Sequence, residues 1–262
     1  MARLSAGPPV EGRLRVTVNF HPDRPTRDGL LVMAALARDG VYRSQFVTGT
    51  SNGGLAAHPG GDRWRWEQRL FGGAYDDQPP ELRPIYGTLN FRTDPVGGAP
   101  RFGSAHLRLR ATVLPRTTFC HPDSVFSPTH FGVADRMGLI ALADAQPPDD
   151  PLNDYVEAHV HGPVRLDRDV EAVVLDPGHR GTAVESAARR LGCPVELYAG
   201  FRMTVAELGR YPDYRGPRST ALGAQLAVDG VLDPPALGTA WQSGRYADQD
   251  LKRVWHLLAR FG

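Results

Sequence analysis

Tyr155-Val156-Glu157-Ala158-His159-Val160-His161-Gly162 alternates two kinds of side chain. Extended backbone turns successive side chains to opposite faces, so Tyr155, Glu157, His159 and His161 share one face and Val156, Ala158 and Val160 the other. The second set suits a core. The first set carries a carboxylate in its middle, and three readings of it stay open. It is the solvated face of an edge strand; or a metal site of a metalloenzyme, with His159 and His161 at i and i+2 and Glu157 as third ligand to zinc or iron; or a catalytic face built around Glu157.

Working outward, Val170 to Pro177 is the next strand and is expected to pair with this one as a hairpin. Upstream, Phe102 to Leu114 alternates apolar residues against His106, Arg108, Arg110 and Thr112, and reads as a half-buried strand whose arginines face solvent. Ile85 to Phe91 and Arg13 to Phe20 are further strands. Asp28 to Gly40 reads as a helix with Asp28 as N-cap and Gly40 as its stop. Val41 to Val47 reads as a short strand entering a glycine-rich loop at Asn52, Gly53 and Gly54. A long loop over 58–84 holds a short helix near Trp64 to Leu70. Met137 to Ala145 leaves helix and strand in competition. Thr182 with Glu185, and Thr204 with Glu207, have the capping-box spacing. Pro194 to Gly200 is a last strand. Leu251 to Phe261 has apolar residues at helical spacing. The domain reading is a flexible tail over 1–12, an α+β domain over 13–214 and a helical extension over 215–262 packed on it.

Bulk properties exclude several classes. The 262 residues have a formal net charge of +1, which gives no electrostatic case for a nucleic-acid partner. No apolar run reaches membrane-spanning length and the first residues lack a signal-peptide core. The chain is therefore expected to be cytoplasmic, or exported by a specialised secretion system, and monomeric. Cys120 and Cys193 make neither zinc spacing nor a disulfide framework. Lys252 is the single lysine among 30 basic residues, so nearly every cation is a planar guanidinium suited to phosphate and carboxylate. No GxGxxG or P-loop motif is present.

The order Tyr42-Arg43, then Ser104 in FGSAHLRL, then Tyr155-x-Glu157 resembles the Arg–Ser–Glu class of ADP-ribosyltransferases, and Tyr155-x-Glu157 is also similar to the Tyr-x-Glu segment of poly-ADP-ribose polymerases. The blocks TVNFHPDR, YRSQFVTGTSNGGL, FGGAYD, RPIYGTLNFR, RFGSAHLRLR and DYVEAHVHGPVRL resemble a bacterial domain-of-unknown-function family. That family in turn resembles the CteC-type, threonine-directed mono-ADP-ribosyltransferases.

The resemblance implies an ADP-ribosyltransferase-like split β-sandwich core with flanking helices. It implies NAD as substrate, no metal, and a protein acceptor carrying a Thr or Ser hydroxyl, with ubiquitin as a candidate. Glu157 would be the catalytic carboxylate, Arg43 the pyrophosphate ligand, and Ser104 a brace for Glu157 or a ribose contact. Asn52, Gly53, Gly54, Tyr86 and Tyr155 would line the dinucleotide, and His159 or His106 would move a proton. Two departures matter. Motif two reads Ser104-Ala105-His106 instead of Ser-Thr-Ser. Tyr155 stands where arginine-modifying relatives carry Glu or Gln, which argues against an arginine acceptor. The alternatives are an NAD glycohydrolase and an inactive binding protein of the same fold.

Overall fold

The strand expected around Glu157 forms over Val156–Val160, inside a sheet and not at its rim. The computed structural model describes residues 1–49 and 57–262. Along the chain come β1 (Val16–Phe20), α1 (Val32–Asp39), β2 (Val41–Tyr42), α2 (Gln45–Thr48), α3 (Asp62–Phe71), β3 (Ile85–Leu89), β4 (Ala105–Leu109), β5 (Thr117–His121) and β6 (His130–Val133). There follow α4 (Leu139–Ala145), β7 (Val156–Val160), β8 (Val164–Arg165), α5 (Leu166–Asp169), β9 (Val170–Leu175), α6 (Ala183–Ala188), β10 (Val195–Leu197), β11 (Met203–Thr204), α7 (Val205–Leu208), α8 (Pro217–Leu226), β12 (Val231–Leu232), α9 (Pro234–Ser243) and α10 (Asp248–Phe261).

Among the described residues, eight strands form one mixed sheet in the order β10-β9-β4-β1-β3-β7-β5-β6. The expected α+β architecture is therefore present, and the sheet is split in a specific place. β1 pairs with β4 at four positions and β3 with β7 at five, but β1 meets β3 only at Val16–Leu89 and Thr17–Thr88. Beyond that junction the two strands part. Gly87 sits at the parting, where a Cβ would lie 2.6 Å from the Thr17 carbonyl oxygen. A strand interior this close to a neighbouring backbone needs glycine.

Paired residues share a face, so the register sorts the sheet into two surfaces. One carries Val16, Val18, Leu89, Leu107, Phe119, Val156, Val160 and Leu175, all 2% exposed or less, in a core that also takes in α1, α4 and α6. Fully burying one such side chain contributes roughly 1.5–3 kcal/mol. The other surface aligns Cys120, Glu157, Thr88, Thr17 and Arg108 in one row, with Thr118, His159 and Tyr86 in the next. This polar row is buried too, apart from Arg108, which is half-buried. The solvated-edge reading of Glu157 is thereby excluded.

A second core, from Phe201 and Met203 through Leu237, Trp241, Trp255 and Leu258, gathers the C-terminal helices. α10 buries Leu251, Val254, Trp255 and Leu258, the expected face of an amphipathic helix. Trp255 Nε1 donates to the carbonyls of Pro100 at 2.9 Å and Arg101 at 3.1 Å, tying the extension to the turn at 100–102. Residues 1–12, expected as a tail, lie against the sheet's β6 end. Val10 N donates to Ala134 O, Met137 N to Pro8 O and Gly138 N to Ala6 O. No helix among the described residues is long and apolar enough to cross a membrane.

Several local expectations are corrected. β7 and β9 do not form a hairpin: β7 lies between β3 and β5, while β9 lies between β4 and β10 in the other half of the sheet. The intervening residues carry the chain across, with β8 pairing to β2. The strand expected over 41–47 stops at Tyr42, because the Ser44 hydroxyl caps Val47 N and starts α2. Asp28 is not an N-cap; it accepts from Thr26 and Arg38, and α1 begins at Val32. Thr182 caps Val184 N, but Glu185 reaches Gly181 N, so the reciprocal box is absent there and present at Thr204–Glu207. Met137 to Ala145 resolves as helix. Arg108, expected to face solvent, is half-buried in ion pairs with Glu171 and Glu196.

Candidate functional site

Where β1 and β3 part, the polar face of the sheet opens into a cavity. The strands supply Thr17, Asn19, Tyr86, Thr88 and Glu157. α3 supplies Arg63, the turn tied to α10 supplies Arg101 and Phe102, and the segment after β5 supplies Asp123, Ser124, Val125 and Phe126. Tyr155 also lines it.

Glu157 is only 6% exposed. Its Oε1 lies 2.7 Å from His159 Nε2. Burial pushes its pKa up, but the His159 hydrogen bond and charge, a hydrogen bond from Ser124 and the Arg63 guanidinium outweigh that and hold it below the usual carboxylate range. An uncompensated charge in such a place costs several kcal/mol; here the polar row and the arginine supply the compensation. His159 is fully buried, edge-on to Tyr86 and Phe71, with Nδ1 3.3 Å from the Thr118 hydroxyl. His161 lies outside this group: its ring stacks on Tyr75, and its Nε2 lies 2.9 Å from the Thr118 hydroxyl. Burial, followed by the charges of His159 and Arg116, brings it down to about 4.

Arg63 is buried, with its guanidinium carbon 4.5 Å from the Tyr86 ring centre and 5.1 Å from that of Trp66. Its Nε has no hydrogen-bond partner. Arg101 donates to Asn153, and its Nε is likewise buried and unpaired. Two guanidiniums with spare donors beside an ionised carboxylate can take a ligand that is anionic in one part and develops positive charge in another. Asp123 is the carboxyl's counterpart. Burial and then the Glu157 charge raise its pKa, while it accepts a hydrogen bond from Tyr155 Oη. Two carboxyls in one cavity with pKa values pushed apart are the usual arrangement for an acid/base division of labour.

The structure brings Glu157, Tyr86 and Tyr155 to the cavity, with His159 behind Glu157. Arg43 lines the adjoining cavity, which shares Tyr42 and Gln45 with the first, and its Nε donates to Asp39 at 2.8 Å. Ser104 is buried with an unpaired hydroxyl just before β4 and does not line the Glu157 cavity. His106, which burial and then Arg108 bring down to about 4, is likewise away from it. Asn52, Gly53 and Gly54 lie outside the described residues. Sequence reasoning misses Arg63, Arg101, Asp123, Ser124 and Cys120. Arg63 left a signal: with Trp66 and Glu67 it forms an i, i+3, i+4 set on α3, and a helix that buries such a set is burying two charges.

The chain matches the family described as Protein of unknown function (DUF3626) over residues 15–145 and 139–261, and it belongs to that family. No curated protein matches it. Two structures of Thermus sp. 2.9 DarT, one in complex with carba-NAD+ and one in complex with NAD+, are similar to it. Each has 12% sequence identity and a TM-score of 0.41, covering 72% of this chain and 96% of the DarT chain.

Proposed function

We propose that this member of the DUF3626 family is an NAD-dependent mono-ADP-ribosyltransferase in which Glu157 is the catalytic carboxylate. The observation that carries the reading is an ionised, buried Glu157 opening into a crevice between two sheet halves, beside Arg63 and Arg101. Cleavage of the nicotinamide–ribose bond leaves oxocarbenium character on the sugar. Glu157, accepting a hydrogen bond from the ribose 2′-hydroxyl, stabilises that charge. The bonding pair leaves with nicotinamide and neutralises its ring. The acceptor oxygen then bonds to the ribose C1′, and its proton passes to Asp123, whose raised pKa suits it to take one. Tyr86 and Phe126 offer faces for the nicotinamide ring. The two adjoining cavities give an extended ligand a path from Glu157 past Tyr42 to Arg43, so Arg43 would meet the pyrophosphate or adenosine side.

The acceptor in this reading is a protein Thr or Ser hydroxyl, ubiquitin being the candidate that the sequence resemblance implies. Tyr155, whose hydroxyl is engaged by Asp123, supplies no carboxylate to steer an arginine. Incubation with labelled NAD and candidate acceptors, with Glu157→Ala as control, should give nicotinamide release and an acceptor mass shift that the variant lacks. Nicotinamide release with no labelled protein would make the chain an NAD glycohydrolase. Absence of NAD binding by calorimetry would leave it an inactive binding protein.

A further inference from the structure

The polar row holds a cluster that the proposed reaction does not use in full. Cys120 Sγ lies 3.8 Å from Glu157 Oε1 and 3.9 Å from His159 Nε2, and those two atoms are 2.7 Å apart. The three donors come from adjacent strands, at register positions fixed by the Cys120–Glu157 pairing. We propose that Cys120, Glu157 and His159 form a three-ligand zinc site whose fourth position opens to the Glu157 cavity.

The chemistry fits in three respects. Thiolate, imidazole and carboxylate are the usual zinc ligands, and three protein ligands with one open position is the form zinc takes where it meets a small molecule. Zn–S of about 2.3 Å and Zn–N and Zn–O of about 2.0–2.1 Å place tetrahedral donors roughly 3.3–3.6 Å apart. The pocket reaches that by widening the Glu157–His159 contact and drawing the sulfur in by a few tenths of an ångström. A divalent ion with one thiolate and one carboxylate is electrically neutral, which suits a buried site. The Thr118 hydroxyl beside His159 Nδ1 can fix the tautomer that leaves the Nε2 lone pair on the metal side. Burial, then the Glu157 charge, keeps the Cys120 thiol protonated, so zinc binding expels that proton to solvent together with the Nε2 proton through which His159 bonds Glu157. The metalloenzyme reading with His161 is replaced here: Cys120 stands where His161 was expected.

A consequence, which rests on the proposed function, is that zinc and NAD compete for Glu157, so zinc is an inhibitor. The test uses chelator-treated full-length protein and cobalt(II) as a spectroscopic stand-in. The expected result is stoichiometric cobalt with tetrahedral d–d bands and a thiolate charge-transfer band, displaced by zinc. Cys120→Ser and Cys120→Ala should lose the charge-transfer band, with circular dichroism checking that both variants are folded. His159→Gln should weaken metal binding at least tenfold. A cobalt spectrum without the thiolate band, or one unchanged in both Cys120 variants, would overturn the site. NAD cleavage that zinc leaves untouched, with the band present, would overturn the competition. If chelated protein neither binds nor cleaves NAD, the transferase reading fails while the cobalt spectrum still decides the zinc site.

Discussion

The Glu157–His159 pair and the Asp23–His179 pair have similar composition and opposite surroundings. Both are buried. Glu157 is bonded to its histidine at 2.7 Å, faces arginines and opens to a cavity. Asp23 Oδ2 lies 3.9 Å from His179 Nε2, and neither atom has a hydrogen-bond partner. α9 closes over it: a Cβ on Gly238 would lie 1.9 Å from Asp23 Oδ2. Burial, and then the neighbouring Asp176 and Asp233, raise Asp23 to about 7, and burial lowers His179. The difference teaches that a buried acid–histidine pair does not make a site. What sets Glu157 apart is the unpaired guanidinium donors and the opening beside it.

Four measurements can break or sharpen that contrast. Glu157→Gln keeps the shape and removes the charge, so NAD cleavage should fall on the order of 10²–10³ with little change in melting temperature. A comparable rate loss in Asp23→Asn would erase the distinction. Gly238→Ala should destabilise by roughly 1–3 kcal/mol in denaturant titration, because α9 must move off Asp23. Asp23→Asn should change the pH dependence of stability. The folded carboxyl titrates near 7 and the unfolded one near 4, so folding favours the protonated form. That contribution is fully present below about pH 4 and is lost as pH rises to about 7, at about 1.4 kcal/mol per pH unit. Melts of the Asn variant should show a flatter profile across that window. Arg43→Ala, at an exposed rim, should weaken NAD binding by less than about tenfold in calorimetry and leave the cleavage step nearly unchanged.

β7 was legible in the sequence because alternation reports which way each side chain points, and the polar face of Glu157 and His159 follows directly. Alternation does not report which strand lies alongside, so the pairing of β7 with β3 and β5 was hidden and a local hairpin looked natural. β5 and β6 escaped for another reason. Thr117, Thr118, His121 and Gly132 blur their pattern, and with β5 went Cys120. Arg101 was unreadable because it depends on a turn held by Trp255, more than 150 residues away in sequence. Glycine at 87 is intelligible only once Thr17 is known to cross it.

Two paired positions, with the Asn90 N to Arg15 O bond and the Thr17–Thr88 hydroxyl contact beside them, fasten one half of the large sheet to the other, while each half carries longer ladders. Shear along that seam changes the gap between the banks without disturbing the strands that carry Thr17 on one side and Glu157 on the other. Substitutions at the seam should therefore alter which ligands enter the cavity before they alter the arrangement of side chains around Glu157.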